Sequence, residues 1–175
     1  VVLMILLLRL SSEVYAWGKT GHNAVAYIAE CNLSPVAKKN IEKYLRHSIV
    51  YYASWMDEYR STAEYKHTTG WHGAPVDESF CYTDALRREK GDVISELENA
   101  IELLRDYQNL SDSTVAVNLK YVIHMVGDMH CPVHIQYPNL PMRYNITLNG
   151  KEYKYHSVWD TQVLEFAHNL SLIHI

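Results

Sequence analysis

The sequence predicts an all-α fold, a single mainly helical domain, and three observations carry that prediction. Apolar residues recur at helical spacing in five separate stretches. No repeat, low-complexity segment or Gly/Pro-rich linker divides the chain. Its 175 residues, 48% hydrophobic and 21% charged, are enough to build one substantial core.

Taken in order, the first stretch follows His22, where Val25, Ile28 and Ala29 define an apolar face. The second runs from Val36 to Leu45, with Ser34 as its N-cap and Pro35 at the first helical position. Val93 to Tyr107 places Ile94, Leu97, Ile101 and Leu104 on one side. A longer helix is expected from Thr114 to Met129, ending before Pro132, whose ring disfavours the α region in the residue before it. The fifth covers Tyr155 to His168. Between Tyr137 and Tyr153, Pro, Asn and Gly indicate a loop with a short hairpin at Asn149-Gly150.

Val1 to Leu8 is an unbroken apolar run, followed by a more polar stretch and then Val14-Tyr15-Ala16. This reads as a signal peptide over 1–16 with a small residue before the cut, leaving 17–175 as the mature domain and Trp17 as its first residue. The other reading is a buried N-terminal strand or helix. The run is too short to span a bilayer, so the expected product is secreted, extracellular or in an endomembrane lumen, monomeric and without a membrane anchor. No Met precedes Val1 and no basic segment flanks the run, so the sequence reads as starting partway through the signal. Asn109, Asn145 and Asn169 are glycosylation acceptors; Asn32 is weaker because Pro35 follows Ser34. Three cysteines, Cys31, Cys81 and Cys131, leave an odd thiol. With the abrupt ending at Ile175, this suggests that a C-terminal portion is absent.

The formal net charge of -4 gives no basic footprint of the kind that drives non-specific DNA binding. The phosphates of any nucleic-acid substrate would have to be attracted by something other than Lys and Arg, and metal ions would serve. The ten His residues make that worth pursuing. His124 and Asp128 are four residues apart, as are His156 and Asp160. On a helix each pair stacks one turn above the other and can reach one ion. Zinc favours imidazole nitrogen and carboxylate oxygen. His134 follows Asp128 beyond Pro132, where the chain can turn back. A lone pair of this kind is more often an i,i+4 ion pair or a core His. Two pairs on helices that must bury them favour a metal, because a buried ionisable group has to be paired or coordinated.

Trp17-Gly18-Lys19-Thr20-Gly21-His22, Trp55-Met56-Asp57, His72, the stretch His124 to His134 and His156-Ser157-Val158-Trp159-Asp160 resemble one known set, from Trp17 to about Asp160. They are similar to the secreted zinc-dependent single-strand nucleases, the fungal S-one/P-one and plant bifunctional enzymes. The resemblance implies a helical domain around a trinuclear zinc site, longer than this chain. It implies one zinc on Asp57, His72, His124 and Asp128. A second would sit on Trp17, through its α-amine and carbonyl, and on His22, bridged by Asp128; a third on His134, His156 and Asp160. It further implies a zinc-bridged hydroxide as nucleophile, hydrolysis of single-stranded DNA and RNA to 5′-phosphates, and 3′-nucleotidase activity. Asp128 and Arg60 would be catalytic, with Arg60 steadying phosphoryl oxygens.

His67 competes with His72, although the spacing from Asp57 in the resemblance favours His72. His130, two residues from Asp128, reads as a hydrogen-bonded structural residue beside the ligands. The family's aromatic residue after the His72 position is replaced by Gly73-Ala74-Pro75, leaving Asp77 as the nearest acid to bind a base and Trp71 as either a substitute stacker or core. Cys131 replaces a commonly polar residue. Cys81 resembles a family disulfide cysteine whose partner lies beyond Ile175. Two other readings stand: a zinc phospholipase C, which shares the N-terminal Trp and three-zinc arrangement, and an inactive zinc-binding fragment.

Overall fold

Ser34, Asp92 and Ser111 each cap the start of a long helix. The computed structural model describes residues 18–140 and 144–164. Helix α1, Lys19–Asn32, lacks a side-chain cap and is held at its start by the buried Gly18, whose N–H donates to the Asp160 carbonyl at 2.7 Å. Helix α2, Pro35–Leu45, opens on Ser34, whose hydroxyl accepts from the Ala37 amide, and closes on Arg46 in the left-handed region (φ 64°). Helix α3, Trp55–Tyr59, follows a 3₁₀ turn over Ile49–Tyr52. Helix α4, Val93–Arg105, starts at a full capping box in which Asp92 accepts from Ile94 and Ser95 while Ser95 Oγ accepts from the Asp92 amide. Helix α5, Asp112–Met129, begins at Ser111, which accepts from Thr114.

Helix α5 is the central strut. α4 packs along it, as do α1, α2 and α3. One core cluster joins Trp55, Met56, Ala74, Val93, Ala100, Tyr121 and Met125. A second joins Ala26, Leu45, Ile49 and Ala53 on the α1–α2 side. Met125 is fully buried, worth about 1.5–3 kcal/mol over an exposed side chain.

Two predicted faces are rotated. In α1 the buried stripe is Gly21, His22 and Ala26, while Ile28 is 63% exposed. In α4 it is Val93, Ser95 and Ala100, with the predicted Ile94 and Leu97 half-buried against the core and Ile101 43% exposed. In α1 a buried His sets the inward direction, and a pattern search that counts only apolar residues misplaces the face.

Two short parallel rungs, β1 (Ala74–Pro75) and β2 (Ile135–Gln136), pair Ala74 with Ile135 and Pro75 with Gln136. β3 (Asn145–Leu148) and β4 (Lys151–Lys154) form the expected hairpin. Its turn has φ of 50° at Asn149 and 76° at Gly150, the two positive angles that a two-residue turn matching strand twist requires. The fifth predicted helix begins as one turn, Tyr155–Ser157, and widens to a π-helical turn over Val158–Gln162. Residues 165–168 of that expectation, the signal peptide over 1–16, Trp17 and Asn169 lie outside the described residues. No helix among the described residues is long and apolar enough to cross a membrane.

Candidate metal centre

The centre is assembled from five segments around Asp128. Helix α5 places His124 one turn before Asp128, with Nε2 3.3 Å from Oδ2, and both residues are fully buried. α1 brings His22 Nε2 to 3.3 Å from Asp128 Oδ1. Its ring stacks on His124 with centroids 4.1 Å apart and planes 12° from parallel. This approach needs Gly127, because a Cβ there would lie 2.9 Å from His22 Cε1. α3 brings Asp57 Oδ1 to 3.6 Å from His72 Nδ1 and 3.9 Å from His124 Nε2. His72 Nδ1 lies 3.0 Å from Asp128 Oδ2 and 3.0 Å from His124 Nε2. The β1–β2 rungs bring the chain after His72 beside the chain after His134, and a Cβ on Gly73 would come 2.6 Å from the His134 carbonyl. His134 Nδ1 ends 3.6 Å from Asp128 Oδ1 and also hydrogen-bonds the His72 carbonyl. Four imidazoles therefore surround one carboxylate.

Asp160 gathers a neighbouring group. His134 Nε2 is 3.7 Å from its Oδ1 and His156 Nε2 is 2.8 Å from its Oδ2. The buried Cys131 thiol donates to Oδ1 at 3.2 Å. The sequence by itself assigns Cys131 no role in this group. Its one available signal was a sulfur three residues before His134, inside the densest run of donors.

Electrostatics follow from crowding. Burial, with the His124 ring charge, depresses the pKa of His22. Burial works to lower His124 as well, but the Asp128 and Asp57 carboxylates outweigh it and raise it. Burial would raise Asp128, yet His124, His22 and His72 hold its carboxyl well below the ordinary carboxylate range. His134 is pushed up to about 9, since Asp160 and Asp128 overcome its burial. Asp160 is lowered, the His134 and His156 rings outweighing desolvation. The Cys131 thiol is raised by burial and by the Asp160 charge.

The donors fit a cation. Eight buried side-chain N or O atoms among the described residues lack a hydrogen bond, and all except Ser54 Oγ belong to this assembly: His22 Nδ1 and Nε2, Asp57 Oδ1, His72 Nε2, Asp128 Oδ1, His134 Nε2 and Asp160 Oδ2. Orphaned buried acceptors on carboxylates and imidazoles cost roughly 1–3 kcal/mol each, a cost that coordination removes. Three groups hold donor atoms within 4.8 Å of one another: His22, Asp57 and His124; His72, His124 and Asp128; and Cys131, His134 and Asp160.

The centre opens on a cavity of about 680 Å³ lined by His72, His134 and His156 and by Arg60, Lys66 and Arg88. Arg60 Nη1 lies 3.3 Å from Asp57 Oδ1. Arg88 donates to the Gly70 carbonyl at 3.0 Å and to Gln136 Oε1 at 2.6 Å. Net charge is a whole-chain sum, and folding brings three cations, Arg60 among them, to one mouth despite the overall charge of -4. Asp77 is not among the cavity's lining residues, and its Oδ1 accepts from the Ser79 and Cys81 amides. Trp71 packs as core, donating to the Lys90 carbonyl at 2.9 Å with its ring edge-on to Tyr121. His67 is exposed and bonds the Glu64 carbonyl, so His72 and not His67 enters the centre. His130 is exposed and caps its own helix through the Val126 carbonyl instead of supporting a donor. Asn109 and Asn145 are exposed; Cys31 and Cys81 are exposed free thiols.

Comparison with known proteins agrees with this architecture. The family described as S1/P1 Nuclease matches residues 17–172. Nuclease P1 of Penicillium citrinum is 33% identical over 168 residues, covering 89% of this chain and 62% of that protein. Nuclease S1 of Aspergillus oryzae is 30% identical over 172 residues, covering 91% of this chain and 58% of that protein. Endonuclease 2 of Arabidopsis thaliana is 25% identical over 184 residues, covering 95% and 63%. The chain thus spans about three fifths of the length of these relatives. With a matching profile over most of its residues and the helical frame that gathers the donors, the chain belongs to the S1/P1 nuclease family.

Proposed function

We propose that this protein is a secreted zinc-dependent endonuclease that hydrolyses single-stranded DNA and RNA to 5′-phosphate products and removes 3′-phosphates from nucleotides. The observation that carries the reading is Asp128: fully buried and ringed by four imidazoles, two of which, His72 and His134, line a cavity that also presents Arg60, Lys66 and Arg88. Asp57, His72, His124 and Asp128 would hold one zinc. Trp17 and His22 would hold a second, with Asp128 shared between them, and His134, His156 and Asp160 a third. Support for delivery of Trp17 comes from Gly18, the next residue, which is buried and anchored on the Asp160 carbonyl at 2.7 Å. Bound zinc ions lower the pKa of water toward neutrality and stabilise charge on phosphoryl oxygens.

The chain's own groups do the rest. Asp57 and Asp128 supply negative charge that holds cations in place, and the His124 Nδ1–H, donating to the Ala53 carbonyl at 2.8 Å, fixes which nitrogen faces inward. Arg60 presents its guanidinium at the cavity wall to bind two phosphoryl oxygens, held in place by Asp57. Lys66 and Arg88 attract the flanking phosphates. Single strands are favoured because the donors lie below the surface: a flexible strand can bend a phosphate down to them, whereas duplex DNA is stiff over about 50 nm. The relatives named nuclease and endonuclease support the reaction class.

The test offers zinc-loaded protein single-stranded DNA, duplex DNA, a 3′-mononucleotide and phosphatidylcholine. Cleavage of the single strand with 5′-phosphate ends is expected. Lipid cleavage without DNA cleavage would replace this reading with a phospholipase.

A further inference from the structure

The Asp160 end of the centre contains a donor that the proposed zinc set does not use. Cys131 is 1% exposed, and its sulfur lies 3.2 Å from Asp160 Oδ1. The Cys131, His134 and Asp160 donor atoms all lie within 4.8 Å of one another. One of the buried atoms without a hydrogen bond, His134 Nε2, belongs to the same group, and His134 and Asp160 are 4% and 1% exposed. By contrast, the His156 side chain is 25% exposed and meets Asp160 from its other oxygen. The sulfur is therefore more deeply enclosed than one of the imidazoles assigned to this cation.

Its placement is fixed by backbone on both sides. The Cys131 amide donates to the Asp128 carbonyl at 3.0 Å, and its carbonyl accepts from the His134 amide at 3.1 Å. This tight connection between α5 and the 3₁₀ turn Pro132–His134 turns both side chains toward Asp160.

We propose that Cys131 is a fourth protein donor, as thiolate, to the cation held by His134, His156 and Asp160. The proposal rests on the metal reading above and deepens it. On binding, the S–H bond breaks, its proton leaves to solvent through the cavity, and the sulfur lone pair forms the bond to the ion; nothing is oxidised or reduced. A sulfur ligand makes this position softer than the Asp128 pair, favouring zinc or cadmium over magnesium or manganese. It also fills the fourth place of a tetrahedral zinc, as in sites that hold structure.

X-ray absorption at the zinc edge, on fully loaded wild-type protein, reads this directly. A sulfur scatterer at about 2.3 Å is expected, amounting to one sulfur shared over the bound ions. Cobalt-loaded protein should show a thiolate-to-cobalt charge-transfer band that Cys131→Ser loses and the Cys31→Ser/Cys81→Ser double variant keeps. Loaded, active protein with no sulfur at zinc overturns the proposal and leaves the nuclease reading standing. A band that survives Cys131→Ser also overturns it. Protein that takes up no zinc overturns both. The absorption measurement needs no variant, so misfolding of Cys131→Ser leaves the test intact.

Discussion

The His22 ring lies flat on the His124 ring, centroids 4.1 Å apart, because Gly127 leaves α1 room to approach α5. A methyl group at 127 would press on the His22 ring, and neither helix backbone can retreat without disturbing Asp128. Gly127→Ala should therefore lose the cation assigned to His22, seen as fewer zinc ions by elemental analysis. Overpacking should lower the stability of the metal-stripped protein by about 1–3 kcal/mol in denaturant titration. An unchanged zinc count would show that the stack is incidental.

Asp128 and Arg60 differ in what depends on them. Asp128→Asn removes a charge facing four imidazoles, and both metal uptake and hydrolysis should vanish. Arg60→Ala should keep its zinc and lose on the order of 10²–10³ in kcat, the scale for one oxyanion donor. Equal losses, read by kinetics beside metal counts, would contradict a shared Asp128.

Chelation should unfold more than a site. With Asp128 and Asp160 together among five donor imidazoles, removal of cations leaves like charges and orphaned acceptors in the interior. Each ion present at a hundredfold above its Kd stabilises by about 2.7 kcal/mol. Calorimetry should show Tm falling by several degrees per ion with chelator and recovering with zinc. An unchanged Tm would mean the centre binds nothing tightly.

Asp92 gives the pH dependence. It is fully buried, and although burial works to raise its pKa, the Ser95 and Arg88 amides and the Tyr82 hydroxyl outweigh this and lower it. A lowered folded value contributes stability above the unfolded carboxylate pKa, about 3.9, and loses it as pH falls through the folded value. Asp92→Ala should cost about 2–4 kcal/mol at pH 7, through the lost cap and the orphaned Tyr82 hydroxyl. That deficit should shrink below pH 4 in denaturation curves; a constant deficit would assign it to packing alone.

Lys66 is exposed at the cavity mouth. Lys66→Ala should weaken oligonucleotide binding evenly across sequences and reduce the slope of log affinity against log salt by about 1. A change confined to one base would point to base recognition instead.

Local physics made much of the frame readable. Ser34-Pro35 announces α2, the run ending before Pro132 announces α5, and Asn149-Gly150 announces the hairpin, because caps and positive-φ turns depend on neighbouring residues alone. Pairs four residues apart, His124 with Asp128 and His156 with Asp160, are likewise set by helical pitch. His134 stands out by its place beyond Pro132, and the family likeness adds Trp17, His22, Asp57 and His72 as expected ligands. What tertiary structure decided lies between distant residues. Helix α3, five residues long, is too short to show a period, and β1–β2 has only two rungs, yet these place Asp57, and His72 beside His134. His72 meets Asp128 across 56 positions of sequence, and Cys131 meets Asp160 across 29. The basic mouth, too, exists only once Arg60, Lys66 and Arg88 converge. Periodicity reports which way a side chain faces on its own helix; which carboxylate it then meets is settled by packing, through the space that Gly127 and Gly73 leave open.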